Sequence, residues 1–186
     1  MPLLVLPDAA FARTYVAAMA EFVAEGRGGE ETRVGQDRAE WGSSWHTAAG
    51  FGAFAAAVRA EADPATPRPP GRVPESTLWW VETGPEAPEP TYLGGIRIRH
   101  HLTDYLREVG GHIGYDVRPS RRREGHATRM LRAALPHAYA LGITPALITC
   151  DTDNVASRRV IEANGGVLED QRGEKLRFWV PTGPVA

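Results

Sequence analysis

The sequence predicts a mixed α/β (α+β) fold, and three observations carry that prediction. Apolar residues recur at helical spacing in two stretches of the first 62 residues, Phe11 to Ala24 and Gly50 to Ala62, and at strand spacing from Ser76 to His100. A strand-like run ending at Val117 enters a glycine-containing turn and then a long amphipathic helix. Further on, a short apolar run, Ala146 to Cys150, has the composition of a strand covered on both faces. Elements follow in the order β-α-α-β-β-β-α-β-α-β-β, a sheet with helices on its faces and an antiparallel meander in the middle.

Leu3 to Leu6, closed by Pro7-Asp8, reads as an edge strand. Phe11 to Ala24 is helical: Phe11, Tyr15, Ala18, Met19, Phe22 and Val23 share a stripe, Asp8 can cap the helix and Gly26 stop it. Gly50 to Ala62 repeats the pattern through Phe51, Phe54, Ala55 and Val58. Asp63 to Pro74 holds five prolines and a glycine, which excludes helix and central strand and predicts a loop. Ser76 to Thr83 has strand composition, with Trp79 and Trp80 pointing to opposite faces. Gly84 to Pro90 is a turn, Tyr92 to His100 an alternating strand, 102–109 a loop or short turn, and Gly111 to Val117 a strand ended by Pro119. Glu124 to Leu141 is a helix with Ala127, Met130, Leu131, Ala134, Leu135 and Ala138 on one face; Pro136 should kink it at about 3 kcal/mol unless compensated. Val155 to Ala163 is a helix capped by Asp153 or Asn154 and stopped by Gly165-Gly166. Val167 to Gln171 and Lys175 to Val180 form a closing hairpin around Gly173. The expected organisation is one domain over residues 1–186, with a helical part over 1–70 and a sheet core over 75–180.

Composition removes several function classes. The 186 residues are 42% hydrophobic and 24% charged, with a formal charge of −2, so no global field favours nucleic acid or an anionic membrane. Cys150 is the only cysteine, which rules out an intrachain disulfide and Cys-rich zinc patterns. Met1 to Glu21 has no basic leader, and Asp8, Arg13 and Glu21 interrupt its apolar stretch; the expectation is a cytoplasmic protein without signal or membrane span.

The chemistry lies between Gly111 and Gly166. A helix N-terminus presents unpaired N–H groups and the positive end of a dipole. Here small Gly125 and Ala127 let a bulky anion approach, and Arg118, Arg121, Arg122 and Arg123 add positive charge, so the turn is a candidate phosphate cradle. It is neither a Walker loop nor a three-glycine dinucleotide fingerprint. Gly114-Tyr115-Asp116-Val117-Arg118-Pro119 followed by Arg122-x-x-Gly125-x-Ala127-x-x-Met130-Leu131 resembles the acetyl-CoA motif of the GNAT superfamily of N-acetyltransferases. Leu147 to Asp151, then Asn154-x-x-Ser157-x-x-Val160-Ile161-Glu162-x-Asn164-Gly165-Gly166, resembles its next strand and helix. Ile96 to His100 and Gly111 to Tyr115 look like a bacterial branch of predicted acetyltransferases.

That resemblance implies a mostly antiparallel central sheet of about seven strands, splayed between the fourth and fifth. It implies an acetyl-CoA-dependent N-acetyltransferase acting on a primary amine of a small molecule or peptide, with no metal. The pantetheine arm would lie in the gap and pair with the backbone of Tyr115 and Val117. The N–H groups of Arg122, Arg123, Glu124, Gly125, His126, Ala127 and Thr128 would hold the pyrophosphate. Arg121 to Arg123 would reach the 3′-phosphate, and Asn154 and Ser157 would contact the pantetheine. A backbone N–H at Ile113 or Gly114 is the candidate oxyanion donor. His112, with a pKa ordinarily near neutrality, is the candidate base, with Asp116 and Glu82 as rivals. The family's usual acid, a tyrosine seven residues after the asparagine, is Ile161 here; Tyr139, Tyr115 or a water would substitute, helped by a thiol pKa of about 8–9.

Two adjacent histidines on a strand, His100 and His101, face opposite sides and make poor joint ligands; His46, His126 and His137 share no metal spacing. Cys150 reads as core, as does at least one of Trp79 and Trp80, the other being a candidate acceptor wall. Competing readings are a catalytically inactive acyl-CoA-binding module and, more weakly, a nucleotide-binding domain using the same helix. An exposed edge near the C-terminal hairpin could pair two copies into a homodimer.

Overall fold

A computed structural model describes residues 1–84 and 89–183; residues 85–88 of the expected turn Gly84 to Pro90 lie outside the described residues. Glu75–Glu82 (β2) pairs with Leu3–Val5 (β1) on one side and Thr91–Arg99 (β3) on the other, and β3 pairs with Ile113–Val117 (β4). Lys175–Val180 (β7) lies between Ala146–Asp151 (β5) and Val167–Arg172 (β6). Every one of these pairings is antiparallel. The seven strands thus form a four-stranded sheet, β1-β2-β3-β4, and a three-stranded sheet, β5-β7-β6. The two are joined by an isolated bridge, Gly111 to Ile148. The expected splay between the fourth and fifth strands is wide enough to divide the sheet in two.

The apolar stripes of the sequence define the packing. Ala12–Ala24 (α1), Arg33–Trp41 (α2) and Ala48–Ala60 (α3) form the first helical part. Phe11, Tyr15, Phe22, Phe51 and Phe54 pack with Trp79 and Tyr92 on one face of the first sheet. Tyr15 stacks on Trp79 at 4.8 Å. The other face is covered by His126–Ala140 (α5) and Val155–Glu162 (α6), where Met130, Leu131 and Ile161 meet Trp80, Ile96, Ile113, Ile148 and Phe178. Trp79 and Trp80 point to opposite faces, as the alternation requires, and both are core.

Three features depart from the sequence reading. Helix α2 was not predicted, because its mean composition is polar and little of it is buried beyond Val34 and Gly35. It is held instead by the Thr32 cap, whose hydroxyl accepts from Gly35 N at 3.0 Å, and by Arg33 pairing with Asp37 and Glu61. Residues 102–109 contain a short helix, Asp104–Glu108 (α4), capped by Thr103. Helix α5 begins two residues later than expected, since Gly125 takes φ +74° and cannot be part of the helix. Pro136 lies within α5 without ending it; both Pro136 and Arg132, whose carbonyl loses its usual donor, face solvent.

Candidate active site

The gap between the sheets is built by β4. In the β3–β4 register Gly94 opposes Val117 and Ile98 opposes Ile113, and Arg118 N donates to Leu93 O at 2.8 Å. Hydrogen-bonded and non-bonded pairs alternate in such a ladder. Gly114 and Asp116 therefore turn their backbone groups to β3, while Ile113, Tyr115 and Val117 turn theirs to β5. At one end the gap is shut. His112 N donates to Leu147 O at 2.6 Å, Leu147 N donates to His112 Nδ1 at 2.9 Å, and Gly110 N donates to Thr149 Oγ1 at 2.9 Å. Gly111, at φ +61°, permits this contact: a Cβ there would stand 2.4 Å from Leu147 O. Beyond this closure the β4 edge facing β5 has no strand partner among the described residues.

At its other end β4 leads through the 3₁₀ turn Pro119–Arg121 to α5. Among the described residues, the backbone N–H groups of Arg123 to Thr128 have no hydrogen-bond partner. Arg123 at φ +64° and Gly125 at φ +74° are both left-handed, which curls successive N–H groups into an anion-binding nest at the positive end of the helix dipole. A Cβ on Gly125 would stand 3.6 Å from the Arg129 guanidinium, an ordinary contact, so the left-handed backbone and not crowding is what calls for glycine there. Acetyl-CoA's diphosphate fits this donor set: a run of unpaired N–H groups, with the Glu124 carboxylate of the same turn held by Arg121 and His126.

The cradle's loop is fixed from a distance. Glu21 of α1 accepts from Arg118 Nε at 2.7 Å, Ser120 N at 3.0 Å and Ser120 Oγ at 3.1 Å. Glu25 takes both ends of the Arg122 guanidinium at 2.8 and 2.6 Å. Nothing local in the sequence signals these carboxylates, which lie 97 to 99 residues away from their partners. Arg121 pairs with Glu82 and Glu124 at 3.3 Å, leaving Arg123 as the arginine of this turn without an ion pair among the described residues. His126 is buried, accepts from Trp80 Nε1 at 3.1 Å through Nδ1, and meets Glu124 through Nε2 at 3.2 Å.

Other candidates stand as follows. His112, the candidate base, sits at the closed end of the gap. Its Nδ1 lone pair is taken by the Leu147 N–H, so the neutral ring carries its proton on Nε2 and offers a donor instead of a base. Burial, then Arg107 and Arg99, pushes its pKa down to about 4. Asp116 accepts from Arg27 and Arg97, and Glu82 from Arg121, so both rivals are paired. Tyr115 reaches across to α6, its hydroxyl 2.7 Å from Ser157 Oγ; burial pushes its pKa up to about 12. Tyr139 is half exposed on the outer face of α5. Asn154 caps α6 by accepting from Ser157 N at 3.0 Å. Ile161 is fully buried in the core, so no acid can act from that position. His101 lies beyond the end of β3 at Arg99, so strand alternation does not separate it from His100, and both line one cleft. Among the described residues no three His, Cys, Asp or Glu side chains converge as a metal site, and no helix is long and apolar enough to cross a membrane.

Comparison with solved structures finds the same fold. Mycobacterium smegmatis RimJ, solved with CoA-disulfide, is similar at 19% identity and a TM-score of 0.62, over 96% of this chain and 80% of that one. The microcin C7 self-immunity acetyltransferase MccE, in complex with acetyl-CoA and AMP, is similar at 11% identity and a TM-score of 0.58, over 97% and 92%. YncA of Salmonella typhimurium, solved with its cofactor acetyl-CoA, is similar at 16% identity and a TM-score of 0.54, over 100% and 96%. No curated protein matches the chain. The acetyltransferase (GNAT) domain family matches residues 70–167, from the end of the proline-rich loop to the start of β6, a span containing both the gap and the cradle. This chain therefore belongs to the GNAT acetyltransferases, acyltransferases whose acetyl donor is acetyl-CoA.

Proposed function

We propose that the chain transfers the acetyl group of acetyl-CoA to a primary amine of a small molecule or peptide by direct attack. The observation that carries this reading is the continuity of two unsatisfied surfaces: the free β4 edge and the unpaired N–H run from Arg123 to Thr128. The diphosphate lies on the N-terminus of α5, within the turn from Arg122 to Thr128. The pantetheine runs along β4 against the backbone of Tyr115 and Val117, with Asn154 and Ser157 on its α6 side. The Ile113 N–H, on the gap-facing side of β4, donates to the oxyanion as the amine nitrogen bonds to the carbonyl carbon. The C–S bond then breaks and the thiolate takes a proton from solvent, relayed through the Tyr115 hydroxyl, which gives one proton as it receives another. The amine's proton leaves to water, since His112 holds its own proton on Nε2. The exposed outer edge of β6, with Val167 and Leu168, is the surface on which a second copy would pair.

The test is release of free thiol when the purified protein is mixed with acetyl-CoA and a panel of primary amines and peptides. Turnover with at least one acceptor is expected. Tight acetyl-CoA binding with no turnover on any acceptor would favour the inactive binding module instead.

A further inference from the structure

A second cleft opens at the end of the sheet where β5 begins, remote from the N-terminus of α5. Its walls come from the end of β3, from α4, from the start of β4, from the α5–β5 connection and from β7. Its volume is about 420 Å³, the size of a small-molecule site. Every titratable side chain that lines it is basic: His100, His101, Arg107 and His112. Among the described residues, no carboxylate faces it. Arg107 is exposed and enters no ion pair among the described residues, while its neighbour Glu108 is committed to Arg172. Its planar fork of donors is therefore available. His112 has Nδ1 occupied by Leu147 N, so its free polar group is the Nε2–H. Trp179, with Leu141, Ile143 and Pro145, supplies an apolar wall beside these donors.

We propose that this cleft binds a carboxylate carried on a flat apolar body, the class of simple aromatic acids. The Arg107 guanidinium matches a carboxylate in a two-bond fork, and the His112 Nε2–H adds a second donor. One permanent cation, Arg107, beside the neutral His112 ring suits a monoanion better than a phosphate dianion. Trp179 gives a planar body an aromatic surface. A ligand here touches His112 on one side while its other nitrogen holds β5, so occupancy braces the closed end of the β4–β5 gap. The inference stands apart from the proposed acetyl transfer, because it uses none of the cradle or gap-facing groups.

Titration calorimetry of the whole chain with benzoate, benzylamine and inorganic phosphate tests it. Benzoate is expected to bind saturably at one site, benzylamine not at all, and phosphate more weakly than benzoate. Arg107→Gln, an exposed change without partners to lose, should weaken benzoate about tenfold to a hundredfold while leaving acetyl-CoA affinity unchanged. Arg107→Lys, which keeps the charge but not the fork, should fall between. The proposal is overturned by absence of saturable benzoate binding up to about 10 mM, by equal binding of benzylamine, by phosphate binding more tightly than benzoate, or by benzoate affinity indifferent to Arg107→Gln.

Discussion

Replacing Gly111 with alanine probes the point where the two sheets meet. The substitution has two consequences that can be separated. At φ +61° any L side chain carries a left-handed penalty of about 1–2 kcal/mol. In addition, the new Cβ would lie 2.4 Å from Leu147 O and 3.2 Å from Ile148 Cα, both backbone atoms that no rotamer change can move. Displacing them is an overpacking defect of about 1–3 kcal/mol. The sum is about 3 kcal/mol, or a fall in Tm of about 6–12 °C for a chain this long. Gly142→Ala is the control, because Gly142 has φ +78° and nothing within 4 Å of its would-be Cβ. It should show the backbone penalty alone, about 1–2 kcal/mol and about 2–8 °C. Calorimetric unfolding of both variants reads the difference, and acetyl-CoA titration reads the consequence. Only the Gly111 variant, by prying β5 from His112, should lose cofactor affinity. Equal destabilisation by the two substitutions would refute the close contact, and with it the claim that the gap is shut at this end.

Other expectations follow from the same geometry. Gly125→Glu places a carboxylate in the left-handed cap of α5 and should weaken acetyl-CoA binding by about tenfold to a hundredfold; unchanged affinity in a titration would place the diphosphate elsewhere. Tyr115→Phe removes the hydroxyl 2.7 Å from Ser157 Oγ and should cost about 1 kcal/mol of stability. It should also lower kcat with little change in KM for acetyl-CoA, whereas an unaltered kcat would transfer the proton to another donor. His112 has its pKa lowered from 6.5 to about 4, so on acidification the unfolded chain takes up the proton first. Its contribution is complete above pH 6.5 and is lost as pH falls through 4. Because the ring is part exposed, that loss is about 1–2 kcal/mol, less than the full shift implies. Urea unfolding across that range should show it in the wild type and not in His112→Gln.

Much of this protein is determined along the chain itself. The stripes through Phe11 to Val23 and through Ala127 to Ala138, the alternation from Ser76 to His100 and the closing hairpin all depend on neighbours within a few residues. Their burial follows from the same spacing, and strand alternation alone puts Trp79 and Trp80 on opposite faces. The turn from Arg123 to Ala127 is equally local, since Gly125 and a helix start suffice to expose its N–H groups, whereas the Arg122 N–H is taken by Pro119 O. What only tertiary structure decided rests on contacts between distant segments. Helix α2 has almost no apolar stripe and is stabilised partly by the Arg33 pair with Glu61. Glu21 and Glu25 hold the cradle's arginines from about a hundred residues away. The role of His112 turned on one bond to Leu147, 35 residues further on. A side chain's charge and proton position are set by whatever the fold brings beside it, and sequence spacing carries no record of that partner.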